Sequence, residues 1–384
     1  MKNIIINAYS IESLLTKIKT TIKNGFNPSL AFIYSSSKHN IKKLVLGLED
    51  YDFIVVGAST AGEIFADKKL GVHEVDRTIV AMLIEINPMA IAFKSISFET
   101  EENYFNIGKN IGIWAKSEFE NPALITITSG LDFDNDVYTQ GIVNERVEYI
   151  FGGSAGDDMQ LKETFVFSKD NFYNHGIVAL ALDRDKIDVV GARAFGWIGI
   201  GKERIVTKAE QNIVYEVDGK PAIDFYKDYL NISADESIPN IGIEYPLEVT
   251  MKSGLVVYRA VLGLDEDKKA LIFAGHVEEK SKVRISAPQG ENIIKYVGES
   301  IEYSLSQKPD FKPQIALVFP CCSRKQVLGD LAIKEIELAY KKAKAPIIGF
   351  YAYGEIGAYP GGYPFHNETF MTTMLSERGT QYAD

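Results

Sequence analysis

Three short stretches of the chain share one unusual pattern, and this repetition constrains the fold more than any other sequence feature. They read FIVVGASTAGEI at residues 53–64, YIFGGSAGDD at 149–158 and PIIGFYAYGEI at 346–356. Each contains an apolar run, a glycine, a short segment of small or aromatic residues, and then a glycine followed by Glu or Asp. Three occurrences of such a pattern indicate an internal repeat.

The repeated pattern extends upstream and downstream of its glycines. Another apolar run precedes each copy, and helix-like stretches such as residues 41–50 and 328–344 lie between the runs. Each unit therefore predicts a strand, a helix and a second strand joined by a parallel crossover. A histidine and a further strand follow each copy, after His73, His175 and His366.

These units predict an α/β fold in which mixed β-sheets are flanked by helices, with the repeated strand-helix-strand units ending in Gly-rich loops. Residues 10–25 and 292–308 predict amphipathic helices, and residues 187–286 are rich in strand patterns. A chain of 384 residues exceeds one ordinary core, so we expect two domains. We place them at residues 1–215 and 216–384.

The Gly-rich loops predict a ligand site, because the carboxyl ends of parallel strands gather at one edge of an open sheet. Glycines there let the backbone approach a ligand, and successive N–H groups form a nest for an anion. Carboxylates in the same loops favour a cationic group, so the mixed lining suits a zwitterion. The candidate ligand-binding residues are Ser59, Thr60, Gly62, Glu63, Gly153, Ser154, Gly156, Asp157, Arg324, Tyr351, Tyr353 and Glu355.

Charge and hydropathy exclude several classes of protein. The net charge of -11 argues against nucleic acid as the main partner, because phosphate backbones are bound by clustered Lys and Arg. No stretch approaches the roughly 18 consecutive apolar residues that span a bilayer, and the N-terminus lacks the pattern of a signal peptide. We therefore expect a cytoplasmic protein without membrane insertion. The only cysteines, Cys321 and Cys322, exclude a disulfide framework and a Cys-based zinc site.

Other motifs leave alternatives open. The stretch GWIGIGKE at 196–203 nearly matches a phosphate-binding P-loop, but Glu203 replaces the Ser or Thr that holds magnesium, so we expect a hairpin-like turn. An enzyme could act through Cys322 or the acidic loop residues, although the sequence identifies no base. Arg324 would either hold a ligand carboxylate in two hydrogen bonds or form a structural ion pair.

The histidines leave the question of haem open. They are His39, His73, His175, His276 and His366. None belongs to an H-E-x-x-H arrangement, and no pair has the helical spacing of metal ligands. One histidine in an apolar pocket is enough to hold haem, so haem stays a possible cofactor, while a structural role is the simpler interpretation of each ring.

Several stretches resemble the FIST family of bacterial sensory proteins, in order and across nearly the whole chain. Residues 1–215 resemble the FIST N domain and residues 216–384 the FIST C domain. The matching stretches are GASTAGEI, FGGSAGDD, GW followed by IVTKAEQNIVYEVDGKPAIDFY, YRAVLGLDEDKKALIFAGHVEEKSKVRIS, and GFYAYGEIG with FHNET.

The resemblance implies a non-catalytic sensor that binds a small ligand, with amino acids proposed as ligands, and feeds intracellular signal transduction. Some members of the family are haem proteins that respond to nitric oxide. Many carry or neighbour output modules such as histidine kinases, methyl-accepting segments or cyclic-dinucleotide enzymes. These 384 residues match none of those modules, so we expect a separate output partner.

Two positions depart from the family pattern. His276 stands where the family commonly has an acidic residue, which would mark either a different ligand or a surface exchange. CCSR at 321–324 replaces the more usual Cys, small residue, Gly, Arg, and it keeps Arg324.

Overall fold

A computed structural model describes residues 1–98, 103–230 and 238–379. In these ranges three segments of the chain, at residues 2–85, 91–183 and 187–377, share one series of elements, to which the third adds a short helix and a 3₁₀ turn. An insertion at residues 197–288 separates the first strand of the third segment from its first helix. No helix in the described ranges is both long and apolar enough to cross a membrane.

The first segment contains, in order, β1 (Lys2–Ala8), α1 (Ile11–Lys23), β2 (Leu30–Ser36), α2 (Ile41–Leu46), β3 (Ile54–Thr60), β4 (Glu63–Asp67), β5 (Gly71–Val75) and β6 (Ile79–Glu85). A 3₁₀ turn at Pro88–Ala90 leads into the second segment. That segment contains β7 (Ile91–Ser97), α3 (Tyr104–Glu118), β8 (Pro122–Thr128), α4 (Asn135–Asn144), β9 (Tyr149–Ser154), β10 (Val166–Phe167), β11 (Phe172–Tyr173) and β12 (Gly176–Asp183).

The third segment begins with β13 (Ile187–Ala194) and then enters the insertion. The insertion contains β14 (Trp197–Gly199), β15 (Arg204–Glu210), β16 (Ile213–Val217), β17 (Lys220–Pro221), α5 (Ala222–Leu230), α6 (Ile238–Glu244), β18 (Leu247–Thr250), β19 (Val256–Arg259), β20 (Val261–Asp265), β21 (Ala270–Phe273) and β22 (Lys282–Pro288). The segment resumes with α7 (Asn292–Ser306), β23 (Ile315–Pro320), α8 (Cys322–Leu328), a 3₁₀ turn (Gly329–Leu331), α9 (Ala332–Ala343), β24 (Ile347–Phe350), β25 (Glu355–Ala358), β26 (Phe365–His366) and β27 (Phe370–Glu377).

Three six-stranded sheets share one strand order. Sheet I runs β1-β6-β2-β3-β10-β11, sheet II runs β7-β12-β8-β9-β25-β26, and sheet III runs β13-β27-β23-β24-β4-β5. The central pairs β2 with β3, β8 with β9 and β23 with β24 are parallel, as the strand-helix-strand units predict. The other pairings are antiparallel, so all three sheets are mixed.

Each segment completes the sheet of another segment. The hairpin β4–β5 of the first segment pairs with β24 in sheet III. The hairpin β10–β11 of the second segment pairs with β3 in sheet I, and β25–β26 of the third pairs with β9 in sheet II. The exchange is therefore cyclic, and every sheet contains strands from two segments.

The three sheets face one shared apolar core. Alternate residues of their central strands meet there, including Phe32 from sheet I, Phe151 from sheet II and Phe319 from sheet III. The opposite face of each sheet packs against helices of its own segment: α1 and α2, α3 and α4, or α7 and α9. Burial on both faces explains why the strands read as nearly continuous apolar runs.

The insertion forms a fourth sheet in the order β19-β18-β22-β15-β16-β21-β20, with β14 on β22 and β17 on β16. Strands β15 and β16 lie before residue 218 and pair with β22 and β21, which lie after it. The proposed boundary at residue 215 therefore falls inside a sheet, and the division at that residue stays a prediction.

Local predictions from the sequence agree with the structure at several points. Helix α1 begins after Ser10, whose side chain accepts the Ser13 N–H at 3.2 Å, and ends at Asn24 before Gly25, which has a φ of 95°. Helix α7 spans most of the predicted helix 292–308. The P-loop-like stretch forms strand β14 and a bend at Gly201. Strands β14 and β15 both pair antiparallel with β22, so the chain does not reverse between them and the hairpin-like interpretation is wrong.

Candidate functional site

The three repeated Gly-containing stretches meet at the carboxyl ends of β3, β9 and β24. The first turn comprises residues 59–62, the second 154–158 and the third 351–354. Each turn forms two backbone hydrogen bonds with each of the other two, so the three close a ring. The six bonds run from Ala61 N to Tyr351 O (3.1 Å), Tyr351 N to Gly62 O (2.9 Å), Ser154 N to Gly354 O (2.8 Å), Tyr353 N to Ser154 O (3.2 Å), Gly156 N to Ser59 O (3.0 Å) and Asp158 N to Thr60 O (2.9 Å).

The glycines in this ring let one turn approach another. A Cβ on Gly156 would lie 2.6 Å from Ala61 N, and a Cβ on Gly153 would lie 3.0 Å from Ala352 Cβ. Gly62 has a φ of 130°, which residues with a side chain rarely adopt. The structure therefore places protein backbone where we expected the glycines to admit a ligand.

Glu63 and Glu355 follow the first and third turns and have matching surroundings. The Oε2 of Glu63 accepts hydrogen bonds from the N–H (3.0 Å) and hydroxyl (2.8 Å) of Thr78. The Oε2 of Glu355 accepts the N–H (3.1 Å) and hydroxyl (2.8 Å) of Thr369. Both carboxyl groups are fully buried, and Glu63 also accepts the Thr60 hydroxyl. These buried hydrogen bonds therefore stabilise the first and third turns.

Burial changes the acidity of both groups. It raises the pKa of Glu63 to about 7, although hydrogen bonds from Thr60 and Thr78 act in the opposite direction. Burial also raises the pKa of Glu355 well above its ordinary value, reinforced by Cys321 nearby. Its Oε1 has no hydrogen-bond partner among the described residues.

A backbone nest lies at residues 161–163, after the second turn rather than in it as we expected, and it holds the chain's own Asp157. The carboxylate accepts hydrogen bonds from the N–H groups of Leu161 (2.9 Å), Lys162 (2.7 Å) and Glu163 (3.0 Å), and from the Tyr353 hydroxyl. Burial raises the pKa of Asp157, but these donors outweigh it, and the net pKa is below the ordinary value.

The hydroxyls of the first and second turns are also used internally. Ser59 Oγ accepts the Phe165 N–H at 2.7 Å, which fixes β10 against the first turn. Ser154 Oγ accepts the Thr128 hydroxyl at 3.2 Å. The predicted site residues of these turns thus lie together and bond mainly to one another.

Arg324 lies apart from this hydrogen-bonded ring and forms the structural ion pair that the sequence left as one of two alternatives. Its guanidinium is fully buried and contacts Glu335, with Nε 3.2 Å from each carboxylate oxygen. It also donates to the carbonyls of Glu368 (2.9 Å) and Ile293 (3.3 Å). These partners occupy the guanidinium, so the geometry favours the structural role over the ligand clamp.

The cysteine pair lies at the end of β23. Burial raises the pKa of Cys321 well above its ordinary value, opposite to an activated thiol. The neighbouring Ser323 hydroxyl lies 2.9 Å from Cys321 Sγ and also contacts Glu368, whose pKa burial raises to about 8. Cys322 is partly exposed, and its N–H donates to Ala352 O at 2.9 Å.

Haem would require a histidine with a free ring nitrogen beside an apolar cavity. Among five clefts in the described part of the chain, one is lined by a histidine, His73. Its Nε2 lies 2.8 Å from Leu70 O, and its ring stacks on Phe65. The fully buried His366 contacts Arg193 and Gly357 O through Nε2. The Nδ1 atoms of His175 and His366 are buried and have no hydrogen-bond partner among the described residues, so haem stays the possible cofactor that the sequence left open.

A second buried network was missed by the sequence reasoning. Arg259, on β19 of the insertion, is fully buried, and its Nη2 lies 3.0 Å from Asp136 Oδ2. His276 Nε2 lies 2.9 Å from Asp134 Oδ2; burial lowers the pKa of His276, but its acidic neighbours Asp134 and Asp136 outweigh burial and raise it. These pairs join the insertion to α4, so His276 is an interface residue. The paired residues are more than a hundred positions apart in the chain, so no local sequence pattern could have predicted these ion pairs.

None of the twelve predicted ligand residues lines any of the same five clefts. The sequence thus identified residues that the structure brings together, with Arg324 separate. As described, they form an internally bonded junction of three sheets.

Comparison with protein families gives two matches. The chain matches the FIST N domain over residues 29–220 and the FIST C domain over residues 222–358. No curated protein matches the sequence. FIST domains are associated with sensory signal transduction and small-ligand binding. The two matches cover most of its length, and the chain belongs to the FIST family.

Proposed function

We propose that this protein is a cytoplasmic sensory module that binds a small ligand, an amino acid or a similar small carboxylate, and signals to a separate output protein. Histidine kinases and cyclic-dinucleotide enzymes are the classes of partner we consider. Membership of the FIST family supports the sensory role. The proposed function is binding rather than catalysis.

The observation that carries the proposal is the closed ring of backbone hydrogen bonds among the three turns. Each turn leads from a parallel strand of one sheet into a hairpin or loop that continues into another sheet. A shift of one hairpin therefore changes the hydrogen bonds of two turns. Packed junctions of this kind pass between discrete arrangements more readily than they deform continuously.

A ligand would change this junction only by binding one arrangement more tightly than another. The buried acids Glu63 and Glu355 brace two of the turns, so any rearrangement would have to preserve or replace their bonds to Thr78 and Thr369. The signal would then reach the partner through the outer surface of the sheets or helices.

A thermal-shift screen of the full chain against the twenty amino acids and small carboxylates tests the function. A ligand present at a hundred times its dissociation constant adds about 2.7 kcal/mol to the free energy of unfolding, which is readily measured. We expect one chemical class to raise the melting temperature, while the corresponding amides, which lack the carboxylate, do not. If no compound stabilises the protein, the proposed sensory function is wrong.

A further inference from the structure

We propose that the ligand site is a cleft between β13 and α7, and that it takes a small organic dianion, either a dicarboxylate or a phosphate monoester. This inference rests on the proposed sensory function and names its site and ligand class. The cleft has a volume of about 540 Å³. Pockets for metabolite-sized ligands span roughly 300 to 1,000 Å³.

The cleft is cationic in a chain whose net charge is -11. Arg184, Arg193 and Lys308 line it, and no Asp or Glu is among its lining residues. Lys308 pairs with Asp188 at 2.5 Å, and Asp188 also pairs with Arg378. Local charge at the cleft is therefore positive even after this ion pair is counted.

Two of the cations have no carboxylate partner within salt-bridge distance in the described part of the chain. The Arg184 guanidinium lies 3.5 Å from the centre of the Tyr149 ring. Arg193 is half-buried, donates to His366 Nε2 at 2.7 Å and lies over the Phe195 ring. A half-buried guanidinium without a carboxylate keeps its preference for a bidentate oxyanion.

A buried hydroxyl also lacks a partner at this site. Tyr359 Oη has no hydrogen-bond partner among the described residues, and burial raises the pKa of the phenol. Gly191 on β13 makes room for its ring, because a Cβ there would lie 2.8 Å from Tyr359 Cε1. A buried hydroxyl without a partner destabilises the folded protein, and an acceptor on a ligand would satisfy it.

The other residues that line the cleft suit the carbon skeleton of an organic ligand. Tyr149 and Val189 offer apolar surface. Ser304 on α7 presents a hydroxyl, whereas the Ser300 hydroxyl on the same side of the helix donates to Val297 O at 2.9 Å. Guanidinium groups, hydroxyls and apolar surface together suit an anion attached to a carbon skeleton better than a free halide.

Arg193 connects this cleft to the junction of three sheets. Its partner His366 lies on β26, which pairs with β25 at Glu355. Strand β25 follows directly after the third turn. An anion that draws Arg193 toward the cleft would compete with its hydrogen bond to His366 and thereby act on the hairpin that completes sheet II.

Calorimetric titration of the full chain tests the site. The probes are succinate, glutarate, phthalate, inorganic phosphate and phenyl phosphate, with succinamide as the uncharged control. We expect binding by the dicarboxylate or the phosphate arm, and the arm that binds identifies the ligand class. Absence of binding by all five dianions up to about 10 mM, or equal binding of succinate and succinamide, overturns the proposal.

Arg184→Gln and Arg193→Gln assign the binding to this cleft. Each should weaken it by about tenfold to a hundredfold, the effect of losing a charged hydrogen bond. Arg378→Gln is the matched control. It removes one guanidinium charge, as the other two variants do, but Arg378 pairs with Asp188 and does not line the cleft. Equal affinity in all three variants would place the anion elsewhere and overturn the proposal. Arg184→Gln keeps the test valid if the loss of the His366 contact unfolds Arg193→Gln.

The outcomes separate this inference from the sensory function. If an amino acid stabilises the protein but no dianion binds, the function stands and the cleft is not its site. If a dianion binds as described without any change in hydrogen exchange at the three turns, the cleft is a binding site and its signalling role fails.

Discussion

At the scale of single residues, the buried acids Glu63, Glu355 and Glu368 contribute to the pH dependence of the protein's stability. Each has a pKa raised by burial, and each lies at or beside the junction of the three sheets. An acid with a raised pKa in the folded state binds protons more tightly than in the unfolded state. Stability therefore falls as the pH rises from the unfolded pKa to the folded one.

For Glu63 this range extends from its ordinary pKa of 4.5 to about 7. Glu63→Gln keeps the shape of the side chain and removes the ionisation, so it should be more stable than the wild type at pH 8 and similar at pH 4.5. The difference should reach about 3 kcal/mol at most. Melting temperatures across this range measure it, with the exposed Glu49→Gln as control. A difference that does not change with pH would contradict the assignment.

The Arg324–Glu335 pair gives a second residue-scale prediction. Both side chains are fully buried, so Arg324→Ala should cost about 3 to 5 kcal/mol, because it leaves Glu335 buried without a counter-ion. The double variant Arg324→Met with Glu335→Leu should recover part of that loss. Lys295→Ala, at the exposed pair with Glu299, should change stability by less than about 1 kcal/mol. Chemical denaturation measures all three, and a mild effect of Arg324→Ala would contradict the structural role.

At the scale of elements, the close approach of the turns has a measurable consequence. Gly156→Ala places a methyl group 2.6 Å from Ala61 N, so the first and second turns must separate. We expect a loss of about 1 to 3 kcal/mol, typical of overpacking. Gly263→Ala on β20 is the control, since a Cβ there would lie 3.6 Å from its nearest neighbour, Ile272 Cδ1. Equal stability of the two variants would show that the turns have space between them.

The elements also show what the sequence could predict. The parallel pairs such as β2 with β3 were predictable, because both strands and their helix are close in the chain and the apolar pattern is strong. The exchange of hairpins was not predictable. Strand β4 pairs with the distant strand β24, and the sequence of β4, EIFAD, contains no pattern that indicates which strand it pairs with. The turns were correctly grouped, but the sequence could not show that Asp157 fills the anion nest and that Glu335 holds Arg324.

At the scale of the whole molecule, the cyclic exchange makes the two proposed domains depend on each other. Residues 1–215 contain β4, β9 and β13, whose partners β24, β25 and β27 lie beyond residue 216. A fragment of residues 1–215 would expose these edges and lose part of the shared core. We expect it to unfold without cooperativity or to aggregate, and co-expression with residues 216–384 to restore folding. Cooperative unfolding of the isolated fragment would contradict this.

Signalling through the ring of three turns is tested most directly by hydrogen exchange, read by mass spectrometry with and without the compound that gives the largest thermal shift. We predict that peptides covering residues 59–62, 154–158 and 351–354 change their exchange rates together, because each turn shares hydrogen bonds with the other two. Changes confined to the residues that line the bound compound, or to a single turn, would contradict a shared response of the three sheets.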